Sequence, residues 1–168
     1  RDCEGNTIFD QLPPEKYAEY IREEVRPWSY MKFPFIKSLG KEKGWYRVGP
    51  LARINNCDYI DTPIAEAERQ IFVALGGGKP IQATMAYHWA RMIETVHSAE
   101  KIKELLNDPD LQGEELIRSG ARRKTGIAWI EAPRGTLIHH YEVGDDDLIT
   151  LANLIVSTTH NNEAMNQA

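Results

Sequence analysis

Apolar positions recur at helical spacing through several stretches of the chain. In "DQLPPEKYAEYIREEV" (10–25), Tyr17, Tyr20, Ile21 and Val25 make a broad stripe behind two prolines suited to a first turn, so a helix is predicted. "DTPIAEAERQIFVAL" (61–75) predicts another, with Thr62 as N-cap and Pro63 at the first helical position. The strongest is "IQATMAYHWARMIETVHSAEKIKELLNDP" (81–109), where Met85, Trp89, Met92, Ile93 and Val96 mark one face and Asp108-Pro109 closes the helix. A shorter helix is predicted over "DLQGEELIRSG" (110–120). Between the first two lies "RPWSYMKFPFIKSLGKEKGWYRVGPLARIN" (26–55), rich in aromatics, Pro and Gly but without clear periodicity. It reads as an ordered loop packed on a surface or partner.

The pattern changes after residue 124. "TGIAWIEA" and "GTLIHHYEV" are β-rich, and "GDDD" is a turn before the apolar "LITLANLIV". A strand pair over 136–143 and 148–157 is expected, and "STTHNNEAMNQA" starts a further helix. The fold class is therefore α+β, mostly helical, with a small hairpin or sheet near residues 125–157, in one partial domain over 1–168.

Composition limits the function classes. Of 168 residues 42% are hydrophobic and 27% charged, which suits a soluble core-forming chain. A net charge of −5 argues against a nucleic-acid binder, and no apolar run is long enough to span a bilayer. Cys3 and Cys57 stand far apart without partners at metal-ligand spacing, which points to a reducing, cytoplasmic setting. The chain lacks an initiator Met and stops within an opening helix, so a piece of a longer protein is expected.

Several motifs carry less than they suggest. "GGGKP" follows a helix and has no Ser or Thr placed for magnesium, so it reads as a helix end, not a phosphate loop. His88 and His97 fall on different helix faces and cannot share a metal. His88, beside Trp89, reads as a packing histidine. "ARRK" reads as a solvated turn, and "GDDD" lacks the ligand pattern of a calcium loop. Arg134 is different. Pro133 and Gly135 flank it, so a permanently charged planar fork of donors sits on constrained backbone. That arrangement suits an anion in a protected site, although the local sequence alone favours a structural arginine bridging loop carbonyls.

Four segments then carry a resemblance over nearly the whole chain: "EEVRPWSYMKFPFIKSLGKEKGWYRVGPLARIN", "AYHWARMIETVHSAE", "EAPRGTLIHHYEV" and "NLIVSTTHNNEAMN". With them the chain resembles the large, catalytic subunit of nickel-iron hydrogenases, most closely the cytoplasmic NAD-reducing type. In that family two CxxC motifs supply thiolates to a nickel and an iron, and the iron also carries cyanide and carbon monoxide. Neither motif is present here, and Cys3 and Cys57 do not match them. The resemblance therefore implies the central portion of a large-subunit fold.

Residue by residue, it implies the non-cysteine wall of the metal site. Arg134 matches the family arginine over the open nickel-iron position, where it donates to a cyanide and polarises dihydrogen; Pro133 lines the same pocket. Thr158 matches the Ser/Thr that donates to the second cyanide. Leu137 and Val156 match apolar residues around the carbon monoxide, and Ser157 stands where the family often has Pro. His139 matches a histidine near a bridging cysteine, while His140 replaces a common Trp and is given no role. The Leu154 carbonyl corresponds to one ligand of a buried magnesium.

The implied activity is reversible oxidation of dihydrogen. Electrons would leave through an iron–sulfur small subunit toward diaphorase subunits binding FMN and NAD, in keeping with the lack of a dinucleotide fingerprint here. Two other readings share this ancestry. One is a hydrogenase branch linked to a deazaflavin or ferredoxin-type acceptor. The other is a metal-free quinone-pocket subunit of respiratory complex I.

Overall fold

The computed structural model describes residues 1–168, which divide into two compact units. One comprises residues 1–8 and 50–122, the other 9–49 and 123–168.

In the second unit the expected first helix is cut short. After a 3-10 turn at Pro14–Lys16, helix α1 covers only Tyr17–Tyr20; the chain then turns extended at Ile21 (φ −111°, ψ 136°). It continues as strand β1, Ile21–Arg26, antiparallel to β2, Ser29–Ile36. The region read as an aromatic loop thus holds a strand. The charges of this hairpin find partners within the unit. Lys32 Nζ lies 3.1 Å from Glu23 Oε2 across the hairpin, and Arg26 lies 3.0 Å from Glu24. Pro34 is tolerated because β2 pairs with β1 alone.

The expected β region is a three-stranded antiparallel meander: β3 Thr125–Ala132, β4 Gly135–Val143 and β5 Ile149–Ile155. "GDDD" makes the β4–β5 turn, with Asp147 at φ +67° and the Gly144 N–H donating to the Leu148 carbonyl at 2.9 Å. Tyr17, Ile21, Ile138 and Ile155 form the core under this sheet, with Ile127 and Trp129 packed against them. His140, given no role from sequence, joins this layer. Its Nδ1 lies 3.0 Å from the Tyr17 hydroxyl, which also accepts from Asn153 Nδ2 at 2.9 Å.

The tail forms α6, Ser157–His160, and α7, Asn162–Gln167. Arg26 ties α7 down: its guanidinium meets Glu163 at 2.8 Å and lies 4.1 Å over the Phe33 ring. Asn162 Nδ2 adds a bond to the Lys32 carbonyl at 2.8 Å.

The first unit is helical: α3 Pro50–Asn56, α4 Pro63–Leu75 and α5 Ala86–Leu105. Leu51, Ile54, Ala65, Phe72, Ala86, Ala90 and Ile93 make its core. Thr62 and Pro63 start α4 as expected, but the Thr62 hydroxyl turns to His97 Nδ1 at 2.9 Å. The free amides of the first turn go instead to Glu100, which accepts from Ile64 at 3.1 Å and Ala65 at 3.0 Å. On α5 the buried face matches the expected one in part: Ile93 lies in the core and Trp89 and Val96 pack against it. Ala86, Ala90 and Ile93 are buried, whereas Met85 and Met92 are exposed. His88 is exposed as well, so it is not a packing histidine. The glycines of "GGGKP" end α4, Gly77 and Gly78 taking φ of +58° and +90°. "DLQGEELIRSG" keeps only a 3-10 turn, Pro109–Gln112; with one face to bury and Gly113 early in it, the rest forms no helix.

Candidate active-site wall

The register of β3 with β4 pairs Ala132 with Gly135, leaving Pro133 and Arg134 as a two-residue hairpin loop. Gly135 has φ +130°, a conformation L side chains rarely take. A Cβ there would stand 2.2 Å from Val48 Cγ2 and 2.9 Å from the Gly49 nitrogen. Gly49, at φ +109°, in turn approaches the Arg134 carbonyl, where a Cβ would lie at 3.1 Å. Two glycines are therefore required for residues 48–49 to lie against the arginine turn.

The same segment holds the loop after β5. The Val48 N–H donates to Asn161 Oδ1 at 2.8 Å, and the Tyr46 hydroxyl lies 2.6 Å from His160 Nδ1. His160 is 1% exposed, and burial pushes its pKa down to about 4, so the ring is neutral at pH 7. Burial and the charge of Glu23 push the Tyr46 phenol up. The pair is thus a neutral hydrogen bond whose His160 side is buried, and α6 packs on both β2 and β4.

Arg134 and Thr158 consequently belong to one end of one sheet. Arg134 sits in the β3–β4 turn. Thr158 follows β5, whose last residue, Ile155, pairs with Ile138 of β4. Pro133, Arg134, Val156 and Thr158 are exposed, whereas Ser157 turns inward and is 5% exposed. Leu137 and His139 alternate with the buried Ile138 and so face away from the core layer; both are half-buried. His139 Nδ1 lies 2.9 Å from the Tyr141 hydroxyl, which fixes the ring's orientation. Leu154 pairs with His139 from β5, the strand whose other edge has no partner strand.

Sequence reasoning missed Tyr46, Val48, Gly49, His160 and Asn161 as the frame of this wall. Their signal was the co-occurrence of "RVGP" and "TTHNN", which only the fold shows to be in contact.

A metal ligand set is a different matter. No three His, Cys, Asp or Glu side chains converge anywhere in the chain. Cys3 is exposed, and the half-buried Cys57 has its thiol pushed up by burial, the wrong direction for a thiolate ligand. The arginine fork, the Thr158 hydroxyl and the apolar Leu137 and Val156 fit the surroundings of a metal group with small anionic ligands, not its ligand sphere.

A sheet-borne arginine turn is thus strapped through Val48 and Gly49 to the helix that bears Thr158, on a fold that matches the nickel-iron hydrogenase large subunit. Residues 5–168 match the nickel-dependent hydrogenase family, and the chain belongs to that family. It is 46% identical over 163 residues to the beta subunit of the NAD-reducing hydrogenase HoxS of Cupriavidus necator, covering 95% of this chain and 33% of that protein. It is 44% identical to an iron-sulfur subunit of the F420-non-reducing hydrogenase of Archaeoglobus profundus, covering 99% of this chain and 36% of that one. The crystal structure of an NAD+-reducing nickel-iron hydrogenase in the H2-reduced state superposes with a TM-score of 0.89 at 57% identity, over 95% of this chain and 36% of that one. The chain thus spans about a third of the length of the relatives it matches. No helix is long and apolar enough to cross a membrane.

Proposed function

We propose that residues 1–168 are the central portion, one partial domain, of a hydrogenase large subunit, and that the intact cytoplasmic complex reversibly oxidises dihydrogen and reduces NAD. The observation that carries this is the strapping of the Arg134 turn to the Val156–Thr158 loop at one end of the β3–β5 sheet, with Arg134 and Thr158 both exposed there. When bound, a nickel-iron centre with cyanide and carbon monoxide supplies the place where dihydrogen is split.

This chain's residues supply the surroundings. Arg134 presents a planar charged fork that donates to a cyanide and polarises dihydrogen; a guanidinium is too weak an acid to give up its proton and serve readily as a base. The Thr158 hydroxyl donates to the second cyanide, and Pro133, Leu137 and Val156 keep water from the carbon monoxide side. Ser157 supports the loop from the buried side. His139, steadied by Tyr141, would stand beside a metal-ligating thiolate from the rest of the subunit. The Leu154 carbonyl would be one ligand of a magnesium ion whose other ligands lie outside this chain. Electrons pass to an iron–sulfur small subunit and on to diaphorase subunits carrying FMN and NAD.

The test is the complete complex, purified and assayed for hydrogen-dependent NAD reduction, with nickel measured per large subunit. Nickel-loaded complex that neither oxidises nor produces dihydrogen would overturn the reading. The 44% identity to an F420-non-reducing hydrogenase favours one alternative, an acceptor other than NAD. Activity with an artificial dye but not with NAD would select it.

A further inference from the structure

We infer that Asn161 is a positioning residue: through the Val48 backbone it holds the Arg134 turn and the Val156–Thr158 loop in one fixed relation. The inference rests on the proposed wall. Asn161 joins α6 to α7, and its side chain makes no capping bond to either helix. Its Oδ1 instead accepts from the Val48 N–H at 2.8 Å. Val48 is where the Gly135 backbone comes so close that no Cβ would fit, and Gly49 lies against the Arg134 carbonyl. Segment 48–49 therefore touches the arginine turn on one side and, through Asn161, the end of α6, the helix that bears Thr158, on the other. The Tyr46–His160 pair anchors its near end, two residues before Val48.

Loss of the Asn161 acceptor frees this strap, and both loops gain freedom together. Displacing a reacting geometry by about 1 Å costs on the order of a hundredfold in rate. Removing Asn161 is therefore expected to act on the wall although the side chain touches neither substrate nor diatomic ligand.

The experiment uses the complete subunit in its assembled complex, carrying Asn161→Ala or Asn161→Asp. Amide hydrogen exchange is read over residues 46–49 and 133–136, alongside the infrared bands of the iron-bound cyanides, nickel content and turnover. With Asn161→Ala, both segments should exchange faster, the cyanide bands should move, and turnover should fall by roughly tenfold or more at unchanged nickel content. Asn161→Asp keeps an oxygen acceptor at the same reach and should restore all three. If Asn161→Ala prevents assembly, Asn161→Gln, which moves the oxygen by one methylene, makes the same comparison.

Faster exchange at 46–49 with 133–136 still protected would overturn the coupling, as would an aspartate variant as impaired as alanine. The wall reading fails separately, if Arg134→Lys and Thr158→Val leave turnover and bands untouched. In that event the exchange data still decide whether Asn161 joins the two loops.

Discussion

Arg134 owes its position to its neighbours. Pro133 fixes one side of a two-residue loop, and Gly135 supplies the positive φ and the space that Val48 fills. Gly135→Ala should therefore be costly: its Cβ would stand 2.2 Å from Val48 Cγ2 in a strained conformation. A loss of about 2–3 kcal/mol or more is expected from strain and overpacking combined. Denaturant unfolding of the complete subunit checks it, and a midpoint equal to wild type would show that the turn has room to relax. Arg134→Lys tests the fork itself, since lysine keeps the charge but not the planar pair of donors. In the assembled enzyme turnover should fall by about a hundredfold or more, the scale of losing one preorganised charged donor. Nickel content should stay near normal, because this chain's wall residues are not its ligands. Thr158→Val should cost less and shift an iron-bound cyanide band. Near-wild-type turnover of a metal-loaded lysine variant would make Arg134 a structural arginine.

At the level of elements, what could be read in advance depended on how local the cause was. α4 and α5 follow from 3.6-residue periodicity and a Pro at the first turn, and β3 to β5 from β-branched runs broken by "PRG" and "GDDD". The β1–β2 hairpin was hidden because Tyr17 and Ile21 sit four apart, as a helix requires, yet only Tyr17 is helical. Its charges find partners across the hairpin and on α7, contacts that no local window contains. The wall divides in the same way. The rigidity of "APRG" is local, whereas the strap runs from Val48 to Asn161, 113 residues on.

His160 gives that strap a pH signature. Its folded pKa of about 4 lies below the unfolded value of 6.5. As pH falls through that window the unfolded chain takes up the proton first, so this contribution is whole above about pH 6.5 and lost by about pH 4, on the order of 3 kcal/mol. His160→Phe should flatten the acid-side fall in stability while lowering stability at neutral pH, because the buried Tyr46 hydroxyl loses its partner. Parallel pH–stability curves for wild type and variant would refute this.

For the molecule as a whole, the chain carries an apolar exterior unusual for a free domain. Ile64, Ile71 and Leu75 are exposed on α4, Met85 just before α5 and Met92 on it, while Trp28 and Tyr30 stand exposed at the β1–β2 hairpin. Relatives are about three times as long, so much of this surface is expected to be covered in a full subunit. The chemistry is divided in the same manner. The proposed wall donors lie in this chain, but hydroxyl, guanidinium and backbone groups cannot replace thiolates around soft metals, and the two cysteines do not join other ligands into a cluster. Residues 1–168 produced alone should therefore bind a hydrophobic dye and hold no stoichiometric nickel after a chelator wash. On the proposed reading, the complete subunit should bind less dye per residue and retain nickel. Elemental analysis decides it: one nickel held tightly per isolated chain would mean that these residues form a metal site of their own.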